Sequence, residues 1–102
     1  MARPYSKRRV RELPQVDCFR PAGVPVHELQ EVELTLDEYE AIRLADSEGR
    51  YQAHAAASME VSRQTFGRII RSAHRKVAET LTQGKALRVH GGSITISKEE
   101  PK

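Results

Sequence analysis

Two helix-forming runs meet within residues 52–69, and the residues at their join leave little freedom in how the runs can pack. Gln52-Ala53-His54-Ala55-Ala56-Ala57-Ser58-Met59 has high helix propensity. Glu60-Val61-Ser62 interrupts it, and Ser62 is a strong N-cap for a second helix. Apolar residues then recur as Phe66, Ile69, Ile70, Ala73, Val77, Ala78 and Leu81, a stripe at helical spacing that Gly84 closes after Gln83. Ala56 is small enough to let two helices approach closely, Met59 and Val61 fill the angle between them, and Phe66 and Ile69 anchor the second on the first. This is the spacing of a helix-turn-helix.

With those positions buried, the helical wheel leaves Ser62, Arg63, Gln64, Gly67, Arg68 and Arg71 facing outward. Residues near the amino terminus of the second helix of such a motif meet base edges in the major groove. Arginine can offer two donors to guanine O6 and N7, glutamine can bond adenine N6 and N7, and Thr65, where it reaches, can touch a thymine methyl. Gly67 leaves room for close approach at a cost in helix stability. Gln52, at the start of the first helix, falls where a backbone phosphate crosses. The same pattern without a partner would be no more than a solvated basic face.

Charge supports the former. The net charge of +3 is modest, but its distribution is uneven. Residues 1–11 hold five bases (Arg3, Lys7, Arg8, Arg9, Arg11) and no acid, and residues 61–78 hold five more (Arg63, Arg68, Arg71, Arg75, Lys76), again with no acid. Between them, residues 28–48 carry eight acids against the single base Arg43, a segment that phosphates would repel. These patches imply that Arg71, Arg75, Lys7, Arg8 and Arg9 hold phosphates while Arg63, Gln64 and Arg68 read bases.

Before the helical region, four of the five prolines and Gly23 fall in residues 1–31, which predicts an extended arm and irregular loops. Leu13, Val16, Phe19, Val24, Val26 and Leu29 are too many apolar groups to leave in water, so this segment is expected to drape over the core. Glu31-Val32-Glu33-Leu34-Thr35 alternates like a short strand. Thr35-Leu36-Asp37-Glu38 fits a capping box, and a helix with Leu36, Tyr39, Ile42 and Leu44 on one face should follow, stopping near Gly49. Residues 86–96 suggest two short β-runs about Gly91-Gly92, pairing with the strand near residues 32–34 or with a second subunit, and residues 97–102 suggest disorder.

Other chemistries find less footing. Cys18 with His27, His54, His74 and His90 offers no metal-ligand spacing, no nucleophile elbow or phosphate-cradling glycine loop occurs, and no cofactor or catalytic residue is expected. No apolar run resembles a signal-peptide core or membrane span, and the lone cysteine suits a reducing compartment, which together point to a cytoplasmic protein without membrane contact. One competing reading is an adaptor that docks on RNA polymerase or another regulator through its acidic helix, using Asp37, Glu40 and Asp46.

Longer stretches extend the comparison: Arg8-Arg9-Val10, Phe19-Arg20-Pro21-Ala22-Gly23-Val24-Pro25, the run from Leu34-Thr35-Leu36-Asp37-Glu38-Tyr39 through Asp46, Val61-Ser62-Arg63-Gln64-Thr65-Phe66-Gly67-Arg68-Ile69, and Gly84-Lys85-Ala86-Leu87. On these the chain resembles the UPF0251 or DUF134 family of small bacterial and archaeal proteins. The resemblance implies a DNA-binding protein whose helical region looks like the promoter-contacting fourth region of sigma factors, with no established target. The chain departs from it at Glu60, where glycine or asparagine is usual, and at His54, where such helices tend to carry glutamate.

Taken together, the expectation is a mainly α fold: a winged-helix or sigma region-4-like three-helix core holding the helix-turn-helix, with minor β-structure. The expected divisions are a basic arm over 1–12, the helical domain over 13–92 and a tail over 93–102. A single such module buries limited surface, so specific double-stranded DNA binding in transcription regulation calls for a homodimer, its surface including the carboxyl half of the long helix and the tail.

Overall fold

Thr35 opens the helical part of the molecule. In the computed structural model, which describes residues 7–101, its backbone amide donates to Glu38 Oε1 at 2.9 Å and the capping box is formed. Helix α1 (Leu36–Ile42) follows and widens into a π-helical turn over Arg43–Ser47, where the Glu48 amide donates to the Arg43 carbonyl at 2.9 Å. Helix α2 (Gln52–Met59) ends at Glu60, whose φ of 60° and ψ of 41° are left-handed, and Val61 donates back to the Ala56 carbonyl at 3.0 Å. Ser62 then caps α3 (Arg63–Gln83) by accepting from the Thr65 amide at 3.0 Å, and Gly84, at φ 65°, ends it. The starts of α1 and α3 and the end of α3 therefore fall where the capping chemistry of the sequence put them.

The described chain also holds a 3-10 turn at Val26–Glu28 and five short strands: β1 (Arg8–Val10), β2 (Cys18–Phe19), β3 (Glu31–Leu34), β4 (Ala86–Val89) and β5 (Ile94–Ile96). Strands β2, β4 and β3 form one sheet in that order, with β4 antiparallel to β2 and parallel to β3. A parallel pair needs a long crossover, and all three helices supply it. On β3, Val32 and Leu34 turn inward, while Glu31 and Glu33 face outward to Arg88 and His90 at 3.1 and 2.7 Å. The two β-runs flanking Gly91-Gly92 do not pair with each other. Instead β5 runs parallel to β1, matching Arg8 with Ile94 and Val10 with Ile96. The glycine pair docks on α1: the Gly91 carbonyl accepts from the Leu36 amide at 3.0 Å, and a Cβ on Gly92, at φ 96°, would lie 2.8 Å from Asp37 Oδ1. A side chain there would be strained by the positive φ and would displace the Asp37 carboxylate.

The core has two connected parts. Ala41 and Leu44 meet Ala55, Ala56, Met59, Phe66, Ile69 and Ile70, which fixes α2 across α3, and Leu34, Ala73 and Val89 bind the sheet to the middle of α3. The fold is thus mainly helical with minor β-structure, and no helix among the described residues is long and apolar enough to cross a membrane.

Four expectations change. The stripe on α3 is buried only as far as Ala73: Val77 is half-buried and Leu81 is 77% exposed, because the last turns of the helix run past the core. The proline-rich segment joins the sheet as β2, and Leu13, Val16, Phe19, Val24 and Val26 stay exposed. The basic arm, as far as it lies within the described residues, is not free, since β1 buries Arg9 and Val10; Arg3 and the rest of residues 1–6 lie outside them. Nor is the tail detached, for Glu100 accepts from Ser58 Oγ at 3.0 Å and from Arg50 at 3.1 Å; Lys102 lies outside the described residues.

Glu60 holds a left-handed conformation that costs an L-residue about 1–2 kcal/mol. Glu60→Gly should raise stability by about 1 kcal/mol, read as a higher urea midpoint at unchanged slope. An unchanged or lower midpoint would show that the turn is not strained.

Candidate nucleic-acid interface

The apolar residues of α3 point at α1 and α2, so its polar residues gather on the opposite side. Arg63, Gln64, Gly67, Arg68 and Arg71 line an open hollow of about 800 Å³, and Gln52 closes it from the first turn of α2. The hollow contains six of the residues singled out from sequence. Ser62 and Thr65 stand at its amino-terminal end as cap and capped residue. Gly67 forms part of its wall, covered by Arg71, whose Nη1 would lie 3.5 Å from a Cβ placed there. Arg75 is exposed one turn further along.

What distinguishes this face is the absence of counter-charge. Many cations elsewhere are paired: Arg9, Arg43, Arg50, Lys76, Lys85 and Arg88 each have a carboxylate within 3.4 Å. Among the described residues, Arg63 and Arg71 have no such partner, and Arg68 bonds only the Thr65 hydroxyl. Arg75 is near enough to Glu79 to help lower its pKa, behind the larger effect of Lys85.

The arm residues separate. Lys7 is exposed, whereas Arg8 lies 3.8 Å from Asp37, and Arg9 is 3% exposed with its Nη1 donating to the Ser58 carbonyl at 3.0 Å. Arg9 has no free guanidinium for the phosphate contact expected of it, because the end of α2 consumes it. Tyr51, 82% exposed immediately before Gln52, was not singled out from sequence, and Arg11, counted there only among the bases of the arm, is exposed just beyond β1. An aromatic residue at the N-cap of the first helix was the available signal for Tyr51.

The acidic helix proves to be internal. Asp37, Glu38 and Glu40 are 8%, 6% and 1% exposed. Glu40 accepts two bonds from Arg43 at 2.8 Å and one from the Arg11 amide at 3.1 Å, and Glu38 accepts from Ser72, Lys76 and Thr35. The adaptor reading required Asp37 and Glu40 as docking charges, and neither presents one. Asp46 is exposed but bonds His74 at 2.7 Å.

A family model described as "Protein of unknown function DUF134" matches residues 1–97. The chain belongs to this family. Similar members include a UPF0251 protein of Prosthecochloris aestuarii, 55% identical over 98 residues, which cover 96% of this chain and 63% of the relative. Another from Chlorobaculum tepidum is 56% identical over 104 residues, covering 97% and 68%. One from a Thermoanaerobacter species is 53% identical over 100 residues, covering 98% and 88%. This DUF134 chain thus spans 63% and 68% of the first two relatives' lengths. No solved structure matches it.

In this DUF134 chain the buried Glu38 has a directional pH signature. Burial pushes its pKa up, but the bonds from Lys76, Ser72 and the Thr35 amide, with the charge of Lys76, outweigh that and hold it below the ordinary value. A depressed carboxylate contributes stability above its unfolded pKa and loses it as pH falls through the folded one. Stability should therefore fall below about pH 4, and Glu38→Gln should flatten that limb while costing about 1–3 kcal/mol at neutral pH. Urea melts across pH check this; an equally steep acid limb in the variant would place the titration elsewhere.

Proposed function

We propose that this chain binds double-stranded DNA sequence-specifically as a cytoplasmic transcription regulator, not an enzyme, with α2, the Glu60 turn and α3 acting as a helix-turn-helix. The observation that carries this reading is the hollow on α3, where three arginines without acid partners stand beside Gln64 and Gln52. Arg63 to Arg71 spans about 12 Å of helix, comparable to the width of the major groove. Gln64 and Arg68 have the donor and acceptor sets that base edges require, Arg71 and Arg75 suit phosphates further along, and Lys7 and Gln52 suit phosphates at the margins.

Two copies acting together would give such a module the contact area that specificity needs, with half-sites about one helical turn apart. A hollow between Phe19, Pro21, Thr80, Leu81 and Gly84 offers a mainly apolar surface for that pairing, at the end of α3 remote from Arg63.

Selection from a randomised duplex pool, repeated over a range of salt, tests the reading. The wild type should enrich a two-fold-symmetric motif. Arg63→Ala with Arg68→Ala should lose the enrichment, at about 1–3 kcal/mol per base contact, yet keep salt-dependent binding with a slope of about 0.9 per remaining phosphate. A wild type that retains no duplex at low salt would overturn the proposal.

Gly67 provides an independent check. A Cβ there meets only Arg71, at 3.5 Å, and alanine favours helix, so Gly67→Ala should stabilise the protein by about 0.5–1 kcal/mol. If the Gly67 surface approaches the groove, the same variant should bind the selected duplex more weakly. Raised stability with undiminished affinity would show that DNA does not come close at this position.

A further inference from the structure

Thr65 occupies the third position of α3, and its hydroxyl stands at the centre of a short relay. Its backbone amide donates to Ser62 Oγ at 3.0 Å, its Oγ1 accepts from Ser62 Oγ at 3.0 Å, and the same Oγ1 accepts from Arg68 Nη2 at 3.2 Å. The spacing of three residues at each step stacks Ser62, Thr65 and Arg68 along one side of the helix. A hydroxyl has two acceptor lone pairs. Both are used here, one by the cap and one by the arginine.

We infer that Thr65 is a positioning residue that holds the Arg68 guanidinium for the O6 and N7 edge of a guanine, making Arg68 the arginine that selects a G·C pair. This rests on the DNA-binding reading above and deepens it. Arginine is a planar fork, so restraining one nitrogen restrains the plane in which its other donors lie. Arg63 and Arg71 line the same hollow with no side-chain partner among the described residues. Neither has a hydrogen bond that fixes its plane in advance, as the Thr65 hydroxyl does for Arg68.

In the free protein the Thr65 to Arg68 bond is exposed and competes with water, so it contributes little to stability. Its effect belongs to the complex. An arginine already restrained loses less conformational entropy on docking, and a hydrogen bond from which water has been excluded strengthens. The thymine-methyl contact expected for Thr65 from sequence assigns the residue its methyl; the relay assigns it its hydroxyl.

The two assignments separate by substitution. Thr65→Val keeps shape and methyl but removes the acceptor, whereas Thr65→Ser keeps the acceptor and removes the methyl. Each variant, with Arg68→Ala and the Thr65→Val, Arg68→Ala double variant, is titrated against the selected duplex and against duplexes changed one base pair at a time. Circular dichroism melts verify folding, since Thr65→Val removes the acceptor for the Ser62 hydroxyl while the bond from the Thr65 backbone amide to Ser62 Oγ is kept in every variant.

Arg68→Ala should erase discrimination at one G·C position, and Thr65→Val should reduce it there by about tenfold. Thr65→Ser should retain it, and the double variant should lose no more than Arg68→Ala alone. Discrimination kept by Thr65→Val and lost by Thr65→Ser would overturn the positioning role in favour of the methyl contact. Additive losses in the double variant would also overturn it. Failure of the wild type to select any motif would instead refute the underlying DNA reading.

Discussion

A carboxylate with almost no access to water clasps the first helix to the long one. Glu38 accepts from the Thr35 amide at 2.9 Å within its own helix and from Ser72 and Lys76 of α3 at 2.5 and 2.7 Å. Removing one carboxylate from water costs several kcal/mol, so the arrangement persists only because donors from both helices converge on it. Ser72 and Lys76 lie on the flank of α3 between its apolar stripe and its arginine face. Together with Phe66, Ile70 and Ala73 they fix the rotation of the helix about its axis. Once that rotation is set, Gln64, Arg68, Arg71 and Arg75 have nowhere to point but outward.

The distribution of charge follows from the same packing. Acids are abundant in this chain, yet those of α1 are spent inside the molecule, on Arg43 and the Arg11 amide through Glu40 and on Lys76 through Glu38. The outer acids of β3 are committed to Arg88 and His90. None of these is placed to neutralise Arg63, Arg68 or Arg71. A net charge of +3 therefore understates the field over α3, since the acids of α1 and β3 are engaged with other cations.

The features that could be read from sequence are those whose cause is local. Ser62, Thr35 and Gly84 act through atoms a few residues away, and the apolar period of α3 identified the side it buries as far as Ala73. The six residues lining the hollow were legible for that reason. The parallel pairing of β1 with β5 was not, because it joins Arg8 to Ile94 and leaves no periodic or turn signature between them. Gly91-Gly92 looked like a hairpin turn, but the glycines serve close approach to α1. Arg9 misled for a related reason: in a row of bases its charge suggests phosphate, and only the tertiary fold shows that a helix end takes it. Leu81 carried the helical period beyond the point where the core had anything to pack against it.

That helix end explains why the two termini of the described chain meet where they do. The last carbonyls of an α-helix lack intrahelical donors and carry partial negative charge, so a buried arginine is favourable beside them. Arg9 donates to the carbonyl of Ser58, the penultimate residue of α2, while Glu100 lies 3.4 Å from Arg9 and shares Ser58 Oγ with Arg50. Burial pushes the Glu100 pKa up, but the bonds from Ser58 and Arg50 and the charges of Arg50 and Arg9 hold it below the ordinary range. The chain therefore turns through Glu60 from a helix end held by residues from both ends of the described chain. Because α3 starts three residues after that turn, the angle between α2 and α3, and with it the placement of Gln52 opposite Arg63, depends on segments remote from the hollow itself.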